Sequence, residues 1–332
     1  MSFKKAKIIG TGSYLPTKVL TNKDLEKMVE TSDEWIVTRT GMKERRIAAD
    51  NEFTSDMGRL AALKALESAE MQPDEIDCII VATLTPDYVF PSTSCMIQET
   101  LKAKNAAAFD IQAACTGYLY GLSIAKAFVE SGVYKNVLLI ASEKLSSVVN
   151  YKDRSTCVLF GDGASACVVS NKGNRGLELQ SLCLGADGEQ GHLIMMPAGG
   201  CRAPASHQTV DNCLHSIKMA GNETFKHAVR RMEASCKECL ELANLKENDI
   251  AWLIPHQANE RIIDAISKRF EHLPSERVFK TVHKYGNTSC SSVGIALDEL
   301  VRSASLGPKE HILLTAFGSG LTWGSCILTN QV

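Results

Sequence analysis

Apolar residues fall along this chain in two rhythms. Residues 5–10 enter a strand at once, a fully apolar run of strand length follows at 137–141, and runs dominated by small and apolar residues follow at 78–83, 164–170 and 324–329. Runs without polar alternation predict strands covered on both faces. Residues 60–69 instead repeat leucine and alanine at helical spacing (Leu60, Ala61, Leu63, Ala65, Leu66, Ala69), and 219–242 carries a longer helical pattern. Residues 116–130 differ again. There Leu119, Leu122, Ile124, Ala125, Ala127, Phe128 and Val129 leave almost no polar face, which predicts a buried central helix closed at Gly132.

The connections carry their own signals. Thr21-Asn22 caps a first helix, and Thr31-Ser-Asp-Glu34 reads as a capping box opening a second, with Trp35 and Arg39 on it and Gly41 at its end. Gly10-Thr-Gly-Ser-Tyr-Leu-Pro16 reads as a tight turn rather than a dinucleotide loop, because Pro16 falls where the following helix should be under way. Tyr88-Val-Phe-Pro-Ser92 predicts a helix start with Pro91 near its amino end. The polar, glycine-containing run 185–212 predicts an ordered surface loop beside a site.

The chain also repeats itself. Ala65-Leu-Glu-Ser-Ala-Glu-Met-Gln-Pro-Asp-Glu-Ile-Asp-Cys-Ile-Ile80 matches Cys239-Leu-Glu-Leu-Ala-Asn-Leu-Lys-Glu-Asn-Asp-Ile-Ala-Trp-Leu-Ile254 in spacing and type, each reading helix, acidic turn, buried strand. Tyr134-Lys-Asn-Val-Leu-Leu-Ile-Ala-Ser142 likewise matches Pro308-Lys-Glu-His-Ile-Leu-Leu-Thr-Ala316. A period of about half the chain predicts two related α/β halves. Lys172-Gly-Asn-Arg-Gly176 is the best boundary, giving halves 1–174 and 175–332 with any site drawn from strand ends in both.

Composition narrows the function class. The chain has 332 residues, 45% hydrophobic and 22% charged, enough for two cores or one large fused one. A net charge of −2 argues against a broad nucleic-acid-binding surface. No run approaches the roughly eighteen apolar residues of a membrane span, so no membrane insertion is expected. Twelve cysteines without a leader segment suggest reduced thiols in a cytoplasm. Cys236 and Cys239 have CxxC spacing, but no second pair or histidine set accompanies them, and no metal is expected.

Chemistry enters at Phe109-Asp-Ile-Gln-Ala-Ala-Cys115, where a strand runs into the apolar helix. Unpaired N–H groups and the helix dipole at that amino end would favour a thiolate, drawing Cys115 from about 8.5 towards neutrality. A small buried cysteine is also ordinary core material. In the second half Ile254-Pro-His256-Gln-Ala-Asn259 sets a histidine just after a strand, Lys284-Tyr-Gly-Asn287-Thr-Ser-Cys-Ser-Ser292 sets an amide in a small-residue loop before a helix, and Phe317-Gly-Ser-Gly-Leu-Thr-Trp-Gly324 adds a glycine loop. Each alone has a bland reading as structural histidine, turn asparagine or hairpin.

Together, Ala113-Ala-Cys-Thr-Gly117, His256-Gln-Ala-Asn259, Tyr285-Gly-Asn-Thr-Ser289 and Ala316-Phe-Gly-Ser-Gly-Leu-Thr-Trp-Gly324 resemble the motifs of the β-ketoacyl-acyl-carrier-protein synthase III family, over almost the whole chain. The resemblance implies a thiolase-like, five-layered α-β-α-β-α fold, a homodimer, and the condensation of an acyl-CoA primer with malonyl-acyl-carrier protein that initiates fatty-acid synthesis. It implies Cys115 as acyl-accepting nucleophile, His256 and Asn287 as the decarboxylation pair, and the backbone N–H groups of Cys115 and Ser319 as the oxyanion hole. No cofactor is implied beyond the coenzyme A thioester substrate. A coenzyme A entrance would use Trp35 and Arg154 around the adenine, with Arg39, Thr40, Asn222, Phe225 and Asn259 along the tunnel. Phe90 would close the acyl pocket across the dimer interface. Carrier docking would fall on Lys226, Gln257, Arg261, Lys268 and Arg269, a basic patch interrupted by Glu260.

Rival readings differ at named residues. A thiolase would need a second catalytic cysteine in the glycine loop, whereas Cys326 lies beyond it on a strand. Elongating synthases use two histidines, and Asn287 stands in place of the second. A papain-like hydrolase shares the order Cys, His, Asn, but would be expected with a secretion signal, disulfides and no half-chain repeat.

Overall fold

The structure, a computed structural model, describes residues 5–331. Its main strands are β1 (Lys7–Tyr14), β2 (Cys78–Ala82), β3 (Ala107–Ile111), β4 (Asn136–Glu143), β5 (Gly163–Ser170), β6 (Gly176–Ala186), β7 (Ile250–Pro255), β8 (His311–Gly318) and β9 (Thr322–Gln331). The helices that matter for the site are α1 (Asp33–Thr40), α2 (Thr54–Ser68), α3 (Thr93–Leu101), α4 (Gly117–Ser131), α5 (Gly221–Ala243), α6 (Glu260–Ser267) and α7 (Ser291–Ser303).

The nine strands form one continuous sheet in the order β7-β8-β9-β6-β1-β5-β4-β2-β3. Within it the repeat is visible. β2 lies parallel to both β3 and β4, as β7 lies parallel to β8, and in each half the last strand returns antiparallel to sit beside the first. The counterpart of β3 in the second half shrinks to a single parallel bridge, Leu253 with Val278. The halves join where β1 and β6 pair at Lys7 with Glu178 and Ile8 with Leu177, just past the 171–175 turn that links β5 to β6.

Five layers follow from where the apolar faces go. α2 covers β1 and β5 on one outside, and α5 covers β6, β8 and β9 on the other. α4 and α7 lie between, each touching strands of both halves. One buried cluster fills this middle layer and includes Leu119 and Leu122 of α4 with Leu297 and Leu300 of α7. Two others lie under the outer helices. An all-apolar α4 is stable only in such a place, since each leucine removed from water contributes about 1.5–3 kcal/mol.

Several boundaries depart from expectation for local reasons. β1 runs straight through Gly10 and Gly12, where a turn was expected. A Cβ on Gly10 would lie 2.5 Å from the Ala65 carbonyl oxygen, and one on Gly12 would lie 2.4 Å from that of Ala61. These glycines therefore admit the close approach of α2, whose facing side is Gly58, Ala61, Ala62 and Ala65. The cap of α1 is Ser32, whose hydroxyl accepts from Trp35 N–H, rather than Thr31. Pro91 stays outside α3, because the Thr93 and Ser94 N–H groups donate to the Asp110 carboxylate at 2.7 and 2.8 Å and set the helix start there. The 185–212 run is more structured than a loop: it holds the end of β6, a short strand at Ile194–Met195 paired with Lys218–Met219, and a short helix at His207–Asp211.

Candidate active site

β3 delivers the chain to a single tight turn, Ala114–Thr116, and α4 starts only at Gly117. Ala114 sits at φ +44°, a left-handed conformation uncommon for alanine, so the chain reverses sharply just before Cys115. Expectation and structure part here. Burial pushes the thiol up to about 12; the neighbouring Ser289 side chain works against that, and the Glu143 carboxylate adds to it. Cys115 precedes the helix proper and faces a buried acid, so desolvation outweighs the helix dipole. Glu143 is fixed at the end of β4 by donors from Leu84 N–H, Thr85 N–H and the Thr85 hydroxyl, and by the Cys290 thiol at 3.2 Å.

His256 follows β7 and is only 3% exposed. Its N–H donates to the Thr315 carbonyl at 2.8 Å, which continues the β7–β8 pairing by one residue. Its ring Nδ1 lies 2.6 Å from the Ser292 hydroxyl. Burial pulls its pKa down to about 3, so the imidazole is neutral at physiological pH. The Asn287 backbone is clamped from both sides: its N–H donates to the Leu159 carbonyl at 2.8 Å and its carbonyl accepts from Gly161 at 3.0 Å. The side-chain oxygen of Asn287 accepts from Ser289 N–H at 2.8 Å, which leaves the amide NH₂ as the group with donors to offer.

These elements meet. Ser289 lies beside Cys115, Ser292 holds His256, and Asn287 begins the same short segment, so one loop entering α7 borders all three. The glycine loop closes the other side. A Cβ on Gly318 would lie 2.7 Å from Cys115 N, and the Thr322 hydroxyl sits 3.1 Å from the Ala113 carbonyl and 3.0 Å from that of Ser319. The Ser319 hydroxyl donates to the Ile194 carbonyl at 2.5 Å, turning the side chain away and leaving only its backbone for the site. Sequence reasoning missed Ser289, Ser292 and Glu143. The two serines lay in a quoted stretch that read only as small residues, and Glu143 gave no signal at all.

The outer residues divide. The Arg154 guanidinium lies 5.0 Å from the Trp35 ring centroid, that of Arg261 lies 5.6 Å from the Phe225 ring, and the Asn259 amide donates to the Arg39 carbonyl at 3.1 Å while its oxygen caps α6. Arg39 and Asn222 are exposed near this rim. Thr40 is different: it is buried, its hydroxyl donating to the Ile36 carbonyl and accepting from Met42 N–H, so it offers nothing to a tunnel. Gln257 is a clearer correction. It is 0% exposed, its amide NH₂ bonded to the Pro255 carbonyl and its oxygen to Thr281 and Val282 N–H, so it braces the His256 loop and cannot meet a docking partner. Lys226, Arg261, Lys268 and Arg269 are exposed, Lys226 pairing with Glu223 and Arg269 with Glu233. The Glu260 carboxylate takes the Lys280 ammonium at 3.0 Å, which offsets its charge within the patch. Phe90 is 84% exposed.

The neutral His256 has a consequence for stability. Unfolded, the ring binds a proton near pH 6.5; folded, it does so only near 3. Between those values the unfolded state holds more protons, so the stabilisation is complete above pH 6.5 and is lost as pH falls towards 3. His283 and His311 shift the same way and add to the slope. Denaturation midpoints measured from pH 7 to 4 should therefore fall less steeply in His256→Asn than in the parent protein. Parallel slopes would show that this ring is not among the titrating groups.

Known proteins share this architecture. A family model described as 3-oxoacyl-[acyl-carrier-protein] synthase III matches residues 109–188, and the model of its C-terminal part matches 240–330. The β-ketoacyl-[acyl-carrier-protein] synthase III of Chlamydia pneumoniae is 60% identical over 325 residues, covering 98% of this chain and 97% of that protein. The corresponding protein of Caldanaerobacter subterraneus is 55% identical over 323 residues, covering 97% of each. The crystal structure of 3-oxoacyl-[acyl-carrier-protein] synthase III from Aquifex aeolicus superimposes with a TM-score of 0.89 at 49% identity, covering 98% of this chain and 99% of that one. With matches of this extent over a shared five-layered fold, the chain belongs to the 3-oxoacyl-[acyl-carrier-protein] synthase III family.

Proposed function

We propose that the three residues gathered at the mouth of α7 carry out the family's decarboxylative condensation in two half-reactions. In the first, the Cys115 sulfur attacks the carbonyl of an acyl-CoA primer, probed here as acetyl-CoA. The resulting oxyanion is held by the backbone N–H groups of Cys115 and Ser319, and the coenzyme A thiolate departs with the proton the cysteine gives up. A thiol raised by burial forms no standing thiolate, so its charge passes to the oxygen as the bond forms, where two donors can hold it.

In the second half-reaction, malonyl-carrier loses CO₂, and the electron pair of the broken C–C bond enters an enolate. Its oxygen takes hydrogen bonds from the His256 ring and the Asn287 amide. The enolate carbon then attacks the acyl thioester, and Cys115 leaves and recovers its proton. The observation that carries this reading is the orientation of Asn287: with its oxygen engaged by Ser289 N–H, only its NH₂ can meet a developing anion. Neither half-reaction calls for a metal or redox cofactor, because the thioesters themselves supply the activated carbonyl.

Trp35 and Arg154 form the adenine-binding pair in this reading, supported by their existing face-to-cation contact. Arg39, Asn222, Phe225 and Asn259 follow it inward. Lys226, Arg261, Lys268 and Arg269 form the surface for the acidic carrier, steering it collectively since single exposed pairs contribute little. The run Tyr88, Val89 and Phe90, exposed by 59, 90 and 84%, is covered by a second copy of the chain, placing Phe90 against the partner's acyl pocket. A reducing cytoplasm suits twelve unpaired cysteines.

The test is direct. Purified protein given acetyl-CoA and malonyl-carrier should yield a β-ketoacyl-carrier detected by mass, and Trp35→Ala or Arg154→Ala should raise the KM for acetyl-CoA more than it lowers kcat. No condensation product from any acyl-CoA in a panel would refute the activity. An unchanged KM in both variants would refute the entrance.

A further inference from the structure

We infer that Ser292 is a positioning residue that fixes the tautomer of His256, holding Nδ1 as an acceptor so that Nε2 carries the proton. The inference rests on the proposed donor role of His256, and deepens it by naming what makes the ring a donor.

The argument is an accounting of one buried hydroxyl. Ser292 is 2% exposed and stands in the first turn of α7, so water does not supply its partners. Its oxygen accepts from Gln257 N–H at 3.3 Å and lies 2.6 Å from His256 Nδ1. A hydroxyl has one proton to give. If Nδ1 carried a hydrogen, both neighbours would donate into the same oxygen, and the serine proton would be left in the interior without an acceptor. Among the described residues the Ser292 hydroxyl meets no acceptor other than Nδ1. A buried donor stranded in this way forfeits the hydrogen bond it would make in water. With the serine donating to Nδ1, every group is satisfied and the proton of the neutral ring falls on Nε2. Burial, which keeps the ring uncharged, leaves these two tautomers as the only choices.

The segment then does the same thing twice. Ser289 N–H occupies the acceptor of Asn287, and the Ser292 hydroxyl occupies the acceptor of His256. Two side chains that could each present either polarity are both left with N–H outward, and both constraints come from within six residues of one chain segment.

Nitrogen NMR on protein with isotopically labelled histidine tests this, the His256 signals being those lost in His256→Asn. The expected wild-type ring has an unprotonated Nδ1 and a protonated Nε2. Ser292→Ala should slow malonyl-carrier decarboxylation roughly ten- to a hundredfold, the usual cost of removing a group that orients a functional histidine, while acyl uptake on Cys115 persists. Ser292→Thr, which keeps the hydroxyl, should recover both the tautomer signal and the rate. A protonated Nδ1 in the wild type overturns the inference whether or not the alanine variant folds. So does Ser292→Ala with the wild-type tautomer and rate. A protonated Nε2 in a protein whose His256→Ala variant still decarboxylates would uphold the serine's role and overturn the function proposed for the histidine.

Discussion

Replacing His256 or Asn287 with alanine should leave acetyl uptake on Cys115 largely intact while cutting CO₂ release from malonyl-carrier by about two to three powers of ten, the usual cost of one oxyanion donor. The half-reactions diverge because they draw on different groups. Acyl uptake needs the sulfur and two backbone N–H groups, none of which either substitution removes. Decarboxylation needs donors to an enolate oxygen. At Asn287 the backbone clamp through Leu159 and Gly161 does not depend on the side chain, so the loop should hold in the variant. Cys115→Ser should do the reverse, losing uptake while still releasing CO₂. Intact-protein mass reads the acyl-enzyme and labelled CO₂ reads decarboxylation. Normal CO₂ release from both alanine variants would end the case for the donor pair.

Gly318→Ala should give the opposite signature through a single added methyl group. The new carbon would lie 2.7 Å from Cys115 N and 3.2 Å from its Cβ. The first of these is backbone, so no side chain can rotate out of the way. Either β8 or the Ala114–Thr116 turn must shift; of the two proposed oxyanion donors, Cys115 lies in that turn and Ser319 directly follows β8. Overpacking of this kind costs typically about 1–3 kcal/mol of stability, which a domain this size survives. Acyl uptake should fall by roughly a hundredfold or more, one donor's worth, while Asn287 stays clamped by Leu159 and Gly161 and the His256 ring keeps Ser292, its tie to β8 lying at Thr315, three residues before the added methyl. CO₂ release should therefore decline much less than uptake. Equal loss of both activities would mean that Gly318 supports the whole site rather than the oxyanion hole.

The sequence by itself determined a great deal here. Strand and helix periods, the half-chain repeat and four short motifs gave the two-fold α/β architecture, and they singled out Cys115, His256 and Asn287, because each sits where a strand ends or a helix begins; Ser319 came from resemblance. Such junctions are encoded by neighbours in the chain: a run of apolar residues, then a small residue or a cap. The pair Trp35 and Arg154, proposed for coenzyme A, was picked out for another reason. It came from resemblance, and the fold then brought the two side chains to 5.0 Å.

What only the tertiary structure decided are quantities summed over residues far apart in the chain. The direction of the Cys115 shift depends on burial and on Glu143, which arrives on a different strand, so the local helix end was a poor guide. Gln257 looked like a surface residue beside a basic patch, yet its amide is consumed by the 281–282 backbone. Gly10 and Gly12 looked like a turn because glycine permits one, but the reason for them is α2, packed more than forty residues downstream. Local sequence specifies what the backbone can adopt. Desolvation, close approach and the sharing of a single buried proton depend on which distant groups the fold brings alongside.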